Sequence, residues 1–261
     1  MAREAVQIYQ NLFMLTPRSL SKMDSNRFMR TKALLGSEAM DKIGQSKVMI
    51  VGLGAVGGYS LEAIARAGVG HLILVDFDTF DETNINRQIL ALSSTIGKKK
   101  TEVAKERVEQ INPDCVVETV DCFVDSSNIK QILSYKPDFV IDAIDSIKSK
   151  CELIKALIDE NVEFISSMGA ALKTDAGTIK ITTLDKTNNC SMARVMRQNL
   201  KKMGVDIKKV NCVFSNEQCA LPETAIVPTQ KGRKQILGSL PTITAIFGLM
   251  MANYVIGKIS R

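Results

Sequence analysis

The chain has 261 residues, and its content of 45% hydrophobic and 24% charged residues is that of an ordinary globular protein with enough apolar material for a core. Its net charge of +6 permits a polyanionic partner but does not by itself require one. Because His71 is the only histidine, the composition excludes multi-histidine metal sites and, unless His71 itself takes part, Ser-His-Asp and Cys-His catalysis.

The cysteines indicate a reducing compartment and no structural zinc. None of the six cysteines belongs to a C-x-x-C pair, so zinc-ribbon spacing is missing. The N-terminal residues carry mixed charge without a long apolar run, so no secretory signal is predicted. We therefore expect a cytoplasmic protein that keeps its thiols reduced and holds no zinc.

The N-terminal part leads into a glycine-rich turn. Residues 1–23 form a predicted helical preamble, and a short helical segment ends near Lys42 before a buried strand over residues 48–51. Gly52, Gly54 and Gly57 then fit G-x-G-x-x-G, with a strand before the pattern and a helix after it. Such a turn lets the backbone approach a phosphate, and the helix N-terminus offers free N–H groups to it. The motif predicts nucleotide binding.

Strands and helices alternate through most of the remaining chain. A strand over residues 71–75 ends in Asp76, which is placed to hydrogen-bond a ribose hydroxyl. Further strands are predicted at 116–120, 138–142, 163–166, 177–183 and 210–215, with helices at 98–111, 128–133, 149–160 and 192–203 and a loop over 222–237. This alternation predicts an α/β fold of the Rossmann-like type, with a mostly parallel sheet, helices on both faces and a smaller basic C-terminal part.

An uncharged run of about eighteen residues, 240–257, precedes the C-terminus. A membrane span needs about twenty predominantly apolar residues, so length alone does not decide between a span and a buried helix. Because the run contains Pro241, Thr242, Thr244 and Asn253, we expect a core or interface helix and no membrane association.

A set of charged and amide side chains follows the ends of the predicted strands. It comprises Asp76, Asp78, Asn84, Asn86, Arg87, Gln88, Lys98, Lys99, Lys100, Asp142 and Asp145. Several cations and acids at one edge of a parallel sheet suit a triphosphate with its metal better than a pyrophosphate-linked dinucleotide.

These residues also carry a family resemblance. R-x-x-R before the first strand, G-x-G-x-x-G, D-x-D, N-x-x-R-Q, a following lysine and D-x-x-D together resemble the ubiquitin-activating superfamily, which includes the molybdopterin and thiamine adenylyltransferases. The resemblance implies a homodimer that adenylates a carboxylate with ATP and Mg²⁺. It assigns ATP to Gly52, Gly54, Gly57, Asp76 and Asp78, the phosphates to Asn84, Arg87 and Lys100, Mg²⁺ to Asp145, and a contact from the other subunit to Arg30.

The second half of the chain resembles the tRNA threonylcarbamoyladenosine dehydratase branch of that superfamily. The similarity lies in Thr182 to Thr187, Met192 to Lys202 and Asn211 to Glu217, with Cys190-Ser-Met in place of the usual Asp-Pro-Leu or Cys-Pro-Leu. This branch implies cyclisation of the modified adenosine next to the anticodon of tRNA. Arg194, Arg197 and Lys201 recur at helical spacing and are candidates for tRNA phosphate contacts, beside a solvated basic face as the plainer explanation.

The resemblance implies one adenylation domain over residues 24–261, with an ATP-binding half (24–150), a basic substrate-side half (151–237) and the apolar helix (238–257). The alternatives are an adenylyltransferase for a ubiquitin-like sulfur carrier, an NAD-dependent oxidoreductase and a non-catalytic nucleotide sensor. The sequence leaves open which tRNAs are used, whether a monovalent cation (Na⁺ or K⁺) is needed, and whether a cysteine-desulfurase or sulfur-acceptor partner docks. We expect Cys212 to be a buried strand residue rather than a sulfur relay.

Overall fold

The computed structural model describes residues 26–219, 226–229, 232–235 and 237–261, and the predicted preamble over residues 1–23 lies outside them. The helices are α1 Met29–Leu35, α2 Ser37–Gln45, α3 Gly57–Ala67, α4 Lys100–Ile111, α5 Ile129–Leu133, α6 Ile147–Asp159, α7 Ser191–Lys202 and α8 Pro241–Ile259. The strands are β1 Lys47–Val51, β2 His71–Val75, β3 Val116–Val120, β4 Phe139–Asp142, β5 Glu163–Ser167, β6 Ile179–Thr183, β7 Asn211–Ser215, β8 Ile226–Thr229 and β9 Gly232–Gln235.

Seven of the strands form one sheet in the order β3-β2-β1-β4-β5-β7-β6. Every neighbouring pair is parallel except β6 and β7, which pair antiparallel at the edge. The sheet confirms the predicted Rossmann-like α/β class. The winding direction changes between β1 and β4, and ligands of open parallel sheets bind at the carboxyl side of such a switch point.

The sheet is buried on both faces because successive strand residues point to opposite sides. On β1, Val48 and Ile50 join one apolar cluster with residues of α3, α4 and α8. Met49 and Val51 join the other cluster, with residues of α5, α6 and α7. This double burial explains the uninterrupted apolar runs in the central strands.

The C-terminal helix α8 packs along α3 and against the sheet. Ile243, Phe247, Met251 and Val255 recur every four residues and are at most 1% exposed. Within the described ranges, α8 is the one helix whose length and composition would allow it to cross a membrane. Its buried face confirms the prediction of a final helix packed into the fold.

One prediction of local structure was wrong, and one helix start was shifted by two residues. The residues predicted as a loop over 222–237 include β8 and β9, which pair as an antiparallel hairpin outside the main sheet. The helix predicted from about Lys98 to Ile111 is present and begins at Lys100, because Lys98 and Lys99 first pair with the preceding loop. The Lys98 carbonyl accepts a hydrogen bond from the Phe80 amide at 3.0 Å, and Lys99 forms a bridge with Thr79.

Candidate active site

A cavity of about 860 Å³ opens at the carboxyl ends of β1, β2, β4 and β5. This volume is in the usual range for sites that bind small molecules. Of the predicted nucleotide-binding residues, the following line it: Gly52, Gly54, Asp76, Asp78, Asn84, Arg87, Lys100 and Asp145. The fold thus brings most of the predicted set together at the switch point of the sheet.

The three glycines of the turn are needed for different structural reasons. Gly52 has a φ of +90°, and a Cβ there would lie 2.7 Å from the carbonyl oxygen of Ala143. A Cβ on Gly57 would lie 1.7 Å from the carbonyl oxygen of Gly52. Gly54, in contrast, would bring a Cβ only to 3.9 Å from the Gln88 side chain. The fold itself requires Gly52 and Gly57, whereas at Gly54 the missing side chain mainly leaves the cavity free.

Asp76 connects the glycine turn to the end of β2. Its carboxylate accepts hydrogen bonds from the backbone amide of Leu53 at 2.6 Å and from that of Asp78 at 2.9 Å. The residue is 9% exposed and lines the cavity. Asp76 is therefore held in place by the turn, at the position where a ribose hydroxyl was expected.

Lys100 and Asp78 form an ion pair at the cavity wall. The Lys100 Nζ lies 2.7 Å from Asp78 Oδ2, and the lysine side chain is 7% exposed whereas the aspartate side chain is 51% exposed. The ammonium group also lies 5.9 Å from the centre of the Phe80 ring. The lysine is thus positioned by a solvent-accessible acid that an incoming phosphate group could replace as its partner.

The segment after Asp78 folds back through a 3₁₀ turn, Glu82–Asn84. Asn84 is buried, and its side chain accepts a hydrogen bond from the Asp81 amide. Arg87 donates to the Thr83 carbonyl at 2.8 Å and to the Asn86 side chain at 2.9 Å. These bonds fix the backbone of the segment and hold the Arg87 guanidinium at the cavity.

Gln88 was noted in the sequence without a specific role. It is 7% exposed and lines the cavity, and its Oε1 has no hydrogen-bond partner among the described residues. Buried polar atoms are nearly always paired in folded proteins. Gln88 is therefore a further candidate for contact with a ligand, and only its burial beside the glycine turn distinguishes it from an ordinary loop glutamine.

The two aspartates after β4 have different surroundings. Asp145 is exposed and lines the cavity, whereas Asp142 is fully buried below it. Asp142 pairs with Lys150 Nζ at 2.8 Å, accepts from Ser166 Oγ at 2.7 Å and accepts from the Ile144 amide at 3.2 Å. Asp142 thus anchors the loop that presents Asp145.

Asp145 fits a magnesium ion that is shared with phosphates. Mg²⁺ is commonly held by one or two carboxylates together with substrate phosphates and water. Within the described part of the chain, no group of three or more His, Cys, Asp or Glu side chains is arranged to hold a metal ion. At the cavity, the exposed Asp145 can supply one carboxylate ligand to such an ion.

Arg30 lies on α1 and does not line the cavity of its own chain. Its side chain is exposed, and the neighbouring Arg27 donates to the carbonyls of Gln110 and Ile111 at the end of α4. The structure therefore separates Arg30 from the other predicted nucleotide contacts within one chain.

The basic residues of α7 do not form a uniform surface. Arg194 and Lys201 are exposed, but Arg197 is half-buried and its Nη1 donates to the carbonyl and hydroxyl oxygens of Thr187. Arg197 differs in this respect from the prediction of three equivalent phosphate contacts, because part of its guanidinium holds the turn before α7. None of the three lines the cavity.

The cysteines differ in accessibility. Cys212 is 0% exposed in β7, and burial raises the pKa of its thiol to about 12. The predicted buried strand position of Cys212 is confirmed. Cys219, in contrast, is exposed and lines the cavity.

Comparisons with known proteins agree with this architecture. A model of the ThiF family matches residues 26–261. The chain is 40% identical over 192 residues to the tRNA threonylcarbamoyladenosine dehydratase of Bacillus subtilis, covering 74% of this chain and 75% of that protein. It is 35% identical over 253 residues to the dehydratase of the same name from Escherichia coli, covering 89% and 92%. The crystal structure of the E. coli enzyme, TcdA, in complex with ATP superposes with a TM-score of 0.82 at 36% identity, covering 89% of this chain and 93% of that one. These matches confirm the family resemblance of the sequence, and the chain belongs to the ThiF family.

Proposed function

We propose that this protein is an ATP-dependent tRNA threonylcarbamoyladenosine dehydratase. The observation that carries the proposal is one cavity that combines Gly54, Asp76, Arg87, Lys100 and Asp145 in a chain similar to dehydratases over 89% of its length. An NAD-dependent oxidoreductase would share the glycine turn but would have no need of the cations and Asp145. A carrier-protein adenylyltransferase remains the nearest alternative, because it would use the same nucleotide residues.

The reaction follows from the need to activate a carboxylate. The threonyl carboxylate attacks the α-phosphorus of ATP, a P–O bond forms, and pyrophosphate leaves. The ureido oxygen of the same side chain then attacks the activated carbonyl carbon, and AMP leaves with the former carboxylate oxygen. Because the two reacting groups are tethered, holding them in line supplies much of the rate enhancement. No protein nucleophile is needed.

The residues of the cavity have separable roles in this scheme. The glycine turn and the N–H groups of α3 receive phosphate, Asp76 receives the ribose, and Arg87 and Lys100 offset negative charge that develops on the phosphates. Asn84 supports the phosphate site through the turn Glu82–Asn84, where its side chain accepts a hydrogen bond from the Asp81 amide. Asp145 would hold Mg²⁺, which when bound neutralises phosphate charge.

Arg30 supports a homodimer in this proposal. Its exposure on α1, outside its own cavity, suits a side chain that completes the site of a second copy, in the manner of an arginine finger.

Arg194 and Lys201 are free to contact tRNA phosphates, with Arg197 in a supporting role. The proposal places the enzyme in the cytoplasm, and it requires neither zinc nor a sulfur relay through the buried Cys212. A monovalent cation and a sulfur-transfer partner are not needed for the chemistry described.

The direct test is pyrophosphate release with ATP, Mg²⁺ and tRNA that carries or lacks threonylcarbamoyladenosine. We expect release only with the modified tRNA, accompanied by formation of AMP and the cyclised base. Release with a ubiquitin-like carrier protein and not with modified tRNA would contradict the proposal.

ATP should also stabilise the protein against heat more than NAD does, because a ligand that binds only the native state adds about RT ln(1 + [L]/Kd) to the free energy of unfolding.

Arg30 is tested by mixing two inactive variants. Arg30→Ala should bind ATP normally but lose roughly 10³ or more in turnover, the scale of an arginine supplied by another chain. Asp145→Asn should be inactive for a different reason. Mixed dimers would contain one intact site and should recover part of the activity, and lack of recovery after proven subunit exchange would contradict a role across the dimer.

A further inference from the structure

Part of the wall of the same cavity lies outside the nucleotide-binding motifs, and we call this part the second compartment. Its walls come from the end of β5 and the loop after it, the N-terminal end of α7, the segment after β7, and the start of α8 with the segment before it. The residues that line it are Ser167, Met168, Gly169, Ala170, Ala171, Leu172, Lys173, Asn189, Cys190, Ser191, Met192, Cys219, Leu237, Ser239 and Thr244. None of these residues belongs to the predicted nucleotide set, so this compartment is available for the second substrate.

Lys173 is the buried charge of this compartment. The residue is 4% exposed, and its Nζ donates to the carbonyl oxygen of Asn189 at 3.2 Å and to that of Glu217. Among the residues that the structure describes, no carboxylate oxygen lies within 4.0 Å of this ammonium group. Buried charges are costly unless they are paired. An ammonium group has three N–H donors, so one is left after the two carbonyl oxygens are bound.

The side chain of Glu217, whose backbone carbonyl accepts from Lys173, binds the neighbouring backbone instead. The Glu217 carboxylate accepts hydrogen bonds from the amides of Thr174 and Asp175 at 2.9 and 3.0 Å and from the Thr174 hydroxyl at 2.8 Å. These bonds lower the pKa of Glu217, so it stays ionised while it caps the turn after Lys173. Glu217 therefore fixes the backbone around the lysine, and its charge attracts the ammonium group without a direct ion pair.

The backbone that holds Lys173 is strained. Leu172 and Asn189 have positive φ values of 62° and 49°, and both line the compartment. Leucine adopts this conformation rarely, and such strain is concentrated at functional sites. A hydrogen bond of 2.9 Å from the Leu172 amide to the Gly238 carbonyl keeps the loop in this shape. The fold thus tolerates strain at Leu172, directly before the buried lysine, whereas asparagine adopts the left-handed conformation more readily.

We propose that Lys173 binds the carboxylate of the threonylcarbamoyl side chain and presents it for activation. The proposal rests on the dehydratase function proposed above and adds the residue that recognises the reacting group. One carboxylate oxygen would bind the free N–H of Lys173, and the other would be free to attack the α-phosphorus. The partial positive charge at the start of α7, where Ser191 lines the compartment, acts in the same direction.

The test compares an acid with its ester. Threonylcarbamoyladenosine nucleoside and its carboxyl methyl ester compete with modified tRNA for the wild-type protein and for Lys173→Met. We expect the wild type to prefer the acid by about tenfold to a hundredfold, the range for a hydrogen bond between charged groups. Lys173→Met should lose this preference and should bind ATP and unmodified tRNA as before.

Lys186→Met is the matched control. Lys186 lies thirteen positions after Lys173, is exposed and does not line the cavity, so this variant should keep the preference for the acid. Lys173→Gln retains a donor for the two carbonyls and should fold while still losing the preference for the acid.

Equal weakening of modified and unmodified tRNA binding by Lys173→Met would assign the lysine to a tRNA phosphate and overturn the proposal. Equal binding of acid and ester by a wild-type protein that releases pyrophosphate would overturn it while leaving the proposed function intact. If the wild type released no pyrophosphate with modified tRNA, the proposed function itself would fail.

Discussion

The buried ion pair between Lys150 and Asp142 makes a strong prediction about stability. Both side chains are 0% exposed, and the pair lies directly below the loop that carries Asp145. Replacing Lys150 with methionine preserves most of the side-chain volume but leaves the Asp142 carboxylate with only the Ser166 hydroxyl and the Ile144 amide as donors. An ion inside a protein is stabilised chiefly by its partner charge, so the variant retains an uncompensated buried anion.

The expected loss follows from that burial. Removing one partner of a buried ion pair costs about 3–5 kcal/mol, a large part of the roughly 5–15 kcal/mol that stabilises a typical protein. Lys150→Met combined with Asp142→Asn should recover much of the loss, because no unpaired charge then remains. Lys155→Met is the control on the same helix: Lys155 pairs with Asp159 at 2.7 Å, but the two side chains are 40% and 56% exposed. An exposed pair of this kind contributes about 0–1 kcal/mol.

Urea unfolding followed by far-ultraviolet circular dichroism measures these differences, since the chain has no tryptophan to report by fluorescence. We expect the free energy of unfolding to decrease in the order wild type, Lys155→Met, the double variant and Lys150→Met. The reasoning would be refuted if Lys150→Met lost no more stability than Lys155→Met, or if the double variant were less stable than Lys150→Met alone.

Two further predictions concern packing and thiol reactivity. Gly248→Ala should destabilise the protein, because a Cβ there would lie 2.4 Å from the Val56 carbonyl oxygen. Gly257 lies in the same helix, but a Cβ there meets nothing within 4 Å, so Gly257→Ala should stabilise the protein by up to about 1 kcal/mol. Thermal melting of the two variants measures both effects. In thiol labelling of the native protein at pH 8, the exposed Cys219 should react, while Cys115 and Cys212 should stay unlabelled until the protein unfolds. Burial raises the pKa of the Cys115 thiol and of the Cys212 thiol to about 12, and the thiolate is the reactive form. Mass spectrometry locates the labels.

The sequence predicted the central part of the fold well because two strong local signals agree there. Buried apolar strands and a glycine turn of fixed spacing specify β1, the turn and α3, and the acids and cations that follow the strands converge because parallel strands end at one edge. The cavity collects eight of the predicted residues for this reason. The burial of Asp142, in contrast, depends on Lys150 from the next helix, and no spacing rule separates it from Asp145.

The substrate side of the cavity could not be predicted in the same way. Lys173 resembles any other lysine in the basic second half, and its burial follows from two carbonyl acceptors that come from Asn189 and Glu217, far along the chain. Arg197 has the helical spacing of Arg194 and Lys201, yet its contact with Thr187 turns part of it inward. The β8–β9 hairpin pairs through backbone hydrogen bonds in a segment rich in Pro, Thr and Lys, which is why its composition indicated a loop.

The glycine turn provides a test that separates the requirements of the fold from those of the ligand. At Gly54 the nearest atom to an added Cβ is a flexible side-chain nitrogen at 3.9 Å, an ordinary contact, so Gly54→Ala should change the free energy of unfolding by no more than about 1 kcal/mol. The same methyl group would occupy space that a phosphate needs beside the N-terminus of α3, and ATP affinity should fall at least about tenfold, or 1.4 kcal/mol. Gly57→Ala is the contrasting variant, because its Cβ would overlap the Gly52 carbonyl oxygen at 1.7 Å and should lower stability before it affects any ligand. Isothermal titration with ATP and thermal unfolding on both variants measure the two effects. Wild-type ATP affinity in Gly54→Ala would mean that the phosphates lie elsewhere in the cavity, and the assignment of the turn would have to be abandoned.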